Sequence, residues 1–228
     1  MGKIHTDREY ESELKKLRGS LLKMAGRVEE MIADSVKALV ERDIDLARRT
    51  IDADHLVNRA EVETDELCLV ILAKRQPVAS DLRFVTLSLK MVTDLERIGD
   101  LAVNICERVL DLGQDPPLKP WVDVPKMANI VQGMVRDAID AFVAGDADRA
   151  QSVIERDRSL DELYIRVFRE LLSAMLNDTT KVERGIHAQS VAKWLERMGD
   201  HATNLAEQVV FMVKGKDIRH TKTTLEDG

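Results

Sequence analysis

Apolar residues recur every three or four positions along most of the chain, beginning with Leu14, Leu17, Leu21, Met24, Val28, Met31, Ile32 and Val36. That period belongs to one buried face of a helix and predicts a helix over about residues 7 to 40. A charged break at Glu41-Arg42-Asp43 precedes a second run to about Arg75, with Leu46, Ile51, Val57, Val62, Leu69 and Leu72 expected on its inward side. Pro77 cannot continue a helical hydrogen-bond ladder, and Ser80-Asp81 can cap a third helix reaching about Leu112. After a stretch at 113–120 that holds three of the five prolines, the period returns over 124–144, to about 177, and over 182–214, with a tight turn at Gly145-Asp146. The tail from Gly215 has no apolar period and is expected to be mobile.

The two halves repeat one another. Residues 95–107 and 195–207 are identical at eight of thirteen positions at an offset of 100, including Leu-Glu-Arg, Gly-Asp and the following Ala, Asn and Glu. Met31, Asp34, Asp43, Asp45, Ala47, Ile51 and Asp54 align with Met134, Asp137, Asp146, Asp148, Ala150, Ile154 and Asp157 at an offset of 103. A three-residue difference therefore falls in the loop holding Gln76-Pro77 or Thr179-Thr180, where loops absorb it cheaply. The fold expected is all-α: two tandem antiparallel three-helix bundles related by internal duplication, divided as 1–115 and 116–228. Mid-helix Gly99 and Gly199, on the apolar side, are expected to mark close helix approach.

Composition narrows the chemistry. Four Phe, two Trp and two Tyr in 228 residues suit helix packing better than a β-sandwich. A net charge of −7 argues against unaided nucleic-acid binding. The opening residues lack a secretory apolar core, and the longest apolar run, 67–73, is far shorter than a membrane span, so a cytoplasmic protein without membrane insertion is expected. Cys68 and Cys106 have no partner at metal-ligand spacing and read as two buried thiols of a reducing compartment.

What remains is a repeated acidic stripe. On a helix Glu96, Asp100, Asn104 and Glu107 fall within roughly 80° of one another, as do Glu196, Asp200, Asn204 and Glu207. Carboxylates at i and i+4 repel, and a charged run is most often a solvated face. Recurrence at identical spacing in both halves weakens that bland reading. The stripe needs a cation, supplied either by Arg97 and Arg197 or by a hard metal ion such as Mg²⁺, Ca²⁺, Mn²⁺ or iron. Asp157 with Asp161, and Asp54 with Asn58, could face the two stripes across a helix interface. His55 and His201 read as surface or packing histidines, and no Glu-x-x-His pair, phosphate loop or base-activated nucleophile is present.

The duplicated helices, Leu-Glu-Arg-Ile-Gly-Asp with its Asn four residues on, and Arg75-Gln76-Pro77-Val78-Ala79-Ser80-Asp81-Leu82-Arg83 closely resemble the PhoU family over about residues 10 to 214. The resemblance implies phosphate-transport accessory proteins of the bacterial cytoplasm that tend to dimerise. It also implies negative control of phosphate uptake and of the starvation response, through the ATPase subunit of the phosphate ABC transporter and a phosphate sensor histidine kinase. The family's metal motif, an acidic residue followed four positions later by Asp, is matched by Glu96 with Asp100, Glu196 with Asp200 and Asp157 with Asp161. Asp54 with Asn58 departs at its last position, so the first site should hold ions more weakly. Metals implied are Fe, Zn, Mn or Mg. The alternatives are a metal-dependent helical-bundle enzyme and a metal-free structural adaptor.

Overall fold

The computed structural model describes residues 8–113 and 123–215. Among these the chain is helical without a strand: α1 (Arg8–Glu41), α2 (Ile44–Ala53), α3 (His55–Arg75), α4 (Ala79–Leu112), α5 (Val124–Ala144), α6 (Ala147–Asn177) and α7 (Val182–Lys214), with a 3₁₀ turn at Thr179–Lys181. The repeat shows in the caps. Asp43 accepts from the Leu46 amide at 2.8 Å, and Asp146 accepts from the Asp148 and Arg149 amides at 3.1 and 3.0 Å, each opening the second helical segment of its half. Gly145 ends α5 in the left-handed conformation, and Arg42 takes a like conformation at the matching position with φ of 58°. At offset 103 α3 ends opposite Asp178, and at offset 100 α4 begins opposite Thr179. Gln76, Pro77 and Val78 are therefore the three residues without a counterpart. The boundary expected at 115/116 and the tail beyond Gly215 lie outside the described residues.

Two expectations for the second helix are corrected. It is split at Asp54, where the amide of Asp54 bonds the Ile51 carbonyl and that of Val57 bonds the Asp54 carbonyl, a local tightening to three-residue closures. Val57 is buried and Leu46, Ile51 and Leu72 pack against the core as expected, but Val62 and Leu69 are exposed, and Thr64, Cys68 and Ile71 take the inward positions instead. Hydropathy ranks Val and Leu above Thr and Cys, so the smaller, more polar residues that fit against the neighbouring helices were passed over. Elsewhere the apolar period is buried as expected, from Leu14 through Val36 and from Val92 through Val109. Both cysteines are buried and unpaired, and burial pushes each thiol up to about 12.

Each half packs its helices around the long third one, α1, α2 and α3 against α4 and α5 and α6 against α7, and one apolar cluster runs through both halves. The halves meet where α4 lies antiparallel to α7 and α1 beside α5. Phe84 stacks on Phe142 with ring centroids 4.9 Å apart. Gln132 donates to the Glu29 carbonyl at 2.8 Å, and Arg136 to the Glu29 carboxylate. Across α4 and α7, Asp94 contacts the His201 ring at 2.9 Å and accepts from Gln208 at 3.0 Å. The pseudo-symmetric counterpart of that second contact is Arg108 over the Trp194 ring at 5.6 Å, so one contact is filled by two chemistries. Asp94→Ala would strip two partly buried partners and should lower unfolding free energy by about 1–3 kcal/mol. Urea denaturation checks this: an unchanged midpoint would mean these contacts do not hold the halves together.

Candidate functional site

In the first half the carboxylates gather where α3 crosses α4. Gly99 leaves α4 without a Cβ, and Asp54 Oδ1 stands 3.8 Å from where that atom would be. This oxygen is buried without a hydrogen-bond partner, whereas Oδ2 accepts from Asn58 at 2.8 Å. Burial raises the Asp54 pKa against the opposing Asn58 bond, and the Asp100 charge raises it further. Glu96 is also raised, by burial first and then by the charge of Asp100. Arg97 bridges the pair, its Nη1 3.1 Å from Asp100 and its Nε 3.5 Å from Glu96.

The second half repeats the arrangement between α6 and α7. Asp157 Oδ1 lies 3.7 Å from the position of a Cβ on Gly199, and Leu160 crowds the same glycine. Asp200 is pushed up to about 6, by burial of its carboxylate first, then by the charges of Glu196 and Asp157, with Lys193 opposing and Asp161 adding. The charges of Glu196, Asp157 and Asp161 thus all bear on Asp200. The cation is different: Lys193 donates to both oxygens of Glu196 at 2.6 and 2.5 Å, and Arg197 is in no ion pair among the described residues. Lys193 lies one helical turn before Glu196, and its ammonium also sits over the Tyr164 ring at 5.3 Å.

Not every member of the stripe joins. Among the described residues no hydrogen bond or ion pair ties Asn104, Glu107 or Asn204 to the carboxylates, and Glu207 is half-buried two turns beyond Asp200. His201 turns to Asp94, and His55 bonds the Asp52 carbonyl, so neither faces the acids as a ligand. Two acids were missed. Glu61 accepts from Thr93 at 3.3 Å and is raised by burial, with Asp65 and Asp100 adding, and Asp65 has a buried oxygen without a hydrogen-bond partner. They stand seven and eleven residues after Asp54, which puts them on its helix face. Tyr164 and Phe168 replace them in the other half, so the repeat concealed them.

Hard oxygen donors that outnumber their cations are the donor chemistry of a Mg²⁺, Ca²⁺, Mn²⁺ or iron site. The orphaned, buried Asp54 oxygen beside Gly99 fits that chemistry. As the side chains stand, no three His, Cys, Asp or Glu among the described residues converge on one point, so closing a site requires carboxylates to turn toward one another.

Two like bundles, each with an acid-lined seam at a glycine, define a duplicated all-helical protein. The PhoU domain model matches the chain twice, over residues 21–109 and 124–209. A phosphate-specific transport system accessory protein PhoU homolog of Pseudomonas putida is 42% identical, covering 95% of this chain and 85% of that protein. The accessory protein PhoU of Escherichia coli K12 is 36% identical, with 95% and 90% covered. The crystal structure of PhoU from Pseudomonas aeruginosa superposes with a TM-score of 0.87 at 40% identity, over 91% of this chain and all (100%) of that one. The phosphate transport system regulatory protein PhoU from Streptococcus pneumoniae gives 0.85 at 27% identity, over 92% and 99%. The chain belongs to the PhoU family.

Proposed function

We propose that the protein is a cytoplasmic accessory protein of a phosphate transport system that represses phosphate uptake and the starvation response by binding rather than catalysis. Its partners in this reading are the ATPase subunit of the phosphate ABC transporter and the phosphate sensor histidine kinase, and it acts as a homodimer. Family membership across almost the whole chain carries the reading, since the accessory proteins it resembles match over 95% of its length and the regulatory protein over 92%. No helix among the described residues is long and apolar enough to cross a membrane, so contact with a transporter would be made from outside the bilayer.

Fe, Zn, Mn or Mg ions held by Glu96, Asp100, Asp54 and Asn58 in one seam, and by Glu196, Asp200, Asp157 and Asp161 in the other, would neutralise the carboxylates. The support is electrostatic: acids in both seams are raised by burial and by one another. Asn58 brings an uncharged oxygen where Asp161 brings a charged one, so the first seam should retain less metal. An ion could alter partner binding only by favouring one arrangement of the bundles over another.

A deletion strain grown in high phosphate should express its starvation genes as though phosphate were scarce. Asp100→Ala with Asp200→Ala should reproduce this with soluble, helical protein. Normal repression in the deletion strain, with no second copy present, would remove the assignment. Protein purified without chelator and free of Fe, Zn, Mn and Mg, with repression intact, would leave the metal-free adaptor.

A further inference from the structure

The two bundles differ at one place in a way the duplication makes readable. In the second, Arg149 donates from Nη2 to Asp137 at 2.6 Å and to Asp140 at 2.7 Å, and Arg156 donates to the other Asp137 oxygen. A Cβ on Gly133 would meet the Arg156 guanidinium Nη1 at 3.4 Å, an ordinary contact. Two guanidinium groups therefore fill the groove between α5 and α6 and neutralise its two carboxylates.

At the matching positions of the first bundle the first acid is kept and both arginines are lost, while Lys37 stands for Asp140. Asp34 stands for Asp137, but Leu46 and Ala53 replace Arg149 and Arg156, and Glu30 replaces Gly133. The result is a cavity of about 310 Å³ between α1 and α2, at the lower end of the size of small-ligand pockets. Glu30 and Asp34 line it, and among the described residues neither is in a hydrogen bond or ion pair. Arg27 and Arg49 also line it. Arg27 is taken by the Leu56 carbonyl at 2.9 Å, and Arg49 is exposed.

We propose that this cavity of the first bundle binds an alkylguanidinium cation against Asp34 and Glu30, in the manner that Arg156 is held on Asp137 in the second. The half-buried carboxylate and the missing guanidinium select the ligand. A planar fork matches a carboxylate at two points, whereas an ammonium meets it at one. The cation could be the side chain of an arginine on a partner protein or a free small molecule, and the two are separable.

Amide NMR titrations of the full chain with ethylguanidinium, with an acetyl-Gly-Arg-Gly-amide peptide and with butylammonium decide it. Both guanidinium probes should shift amides of α1 and α2 around Asp34 and Thr50, and butylammonium should bind at least about tenfold more weakly. The isosteric Asp34→Asn should weaken guanidinium binding at least about tenfold, the loss of one charge-assisted hydrogen bond. Ala53→Arg, which supplies the guanidinium from within, should abolish binding and raise the thermal midpoint. Tighter binding of the peptide than of ethylguanidinium identifies a partner's arginine, and the reverse identifies a free cation. Absent shifts, or equal binding by Asp34→Asn and the parent, would overturn the proposal.

Discussion

Asp200→Asn protein should be more stable than the parent at pH 8 in chelator, and less stable than the parent once Mn²⁺ or Mg²⁺ is supplied. Asp200 is pushed up to about 6 by burial and by Glu196 and Asp157, so its charged form is disfavoured in the folded seam. A folded pKa above the unfolded value of 3.8 means a stabilising contribution present in full below about pH 4 and lost as pH rises through about 6. The amide keeps the neutral state at every pH. Its advantage at pH 8 should be on the order of 1 kcal/mol, after allowance for screening at the solvent edge of the seam, and should vanish below pH 4. A bound ion reverses the order, because it stabilises whatever binds it by about 2.7 kcal/mol at a hundredfold excess over its dissociation constant. Denaturation at the two pH values, with chelator and with each metal, checks both halves of the expectation. A parent at least as stable as Asp200→Asn in chelator at pH 8 would mean that Lys193 already balances the seam.

The helices were legible because long amphipathic runs declare their period, and the duplication declared itself through identical residues at offsets of 100 and 103. That Asp54 and Asp157 face the α4 and α7 stripes was legible for the same reason. What escaped was whatever the two halves do differently. Glu61 and Asp65 continue the Asp54 face at spacings like those of the stripe itself, but their counterparts are Tyr164 and Phe168, and a reading led by repetition passes over them. Lys193 was missed in favour of Arg197 because Arg97, the counterpart of Arg197, does pair with the first stripe, whereas the counterpart of Lys193 is Thr93, so repetition pointed to the wrong cation. The split at Asp54 has no sequence marker, since His55 is no helix breaker; it lies in the backbone closures. The alkylguanidinium cavity is itself a difference between halves, visible only when Ala53 is set against Arg156.

The two seam glycines should respond in opposite directions to the same substitution. A Cβ on Gly99 would meet Val57 at 3.5 Å, an ordinary contact, so Gly99→Ala should gain up to about 1 kcal/mol from helix propensity alone. A Cβ on Gly199 would fall 2.2 Å from Leu160 Cδ2, and Leu160 is wholly buried with little room to give. Overpacking of that kind costs about 1–3 kcal/mol, which exceeds the propensity gain, so Gly199→Ala should be destabilising by about 1–2 kcal/mol. The effect reaches the chemistry because Asp157 lies on the helix that must move, 3.7 Å from the same point. Pushing α6 from α7 separates Asp157 from Asp200, so Gly199→Ala should lose metal from the second seam, while Gly99→Ala should keep what the first seam holds. It should also bring the Asp200 pKa back toward the ordinary carboxylate range, as a neighbouring charge recedes and water enters. Urea midpoints, metal content and a carbon-13 carboxyl titration of both variants test the chain of argument link by link. Equal stability of the two variants would show that α6 and α7 do not depend on the bare backbone at Gly199. Unequal stability with unchanged metal content would place the ions away from the Asp157–Asp200 seam.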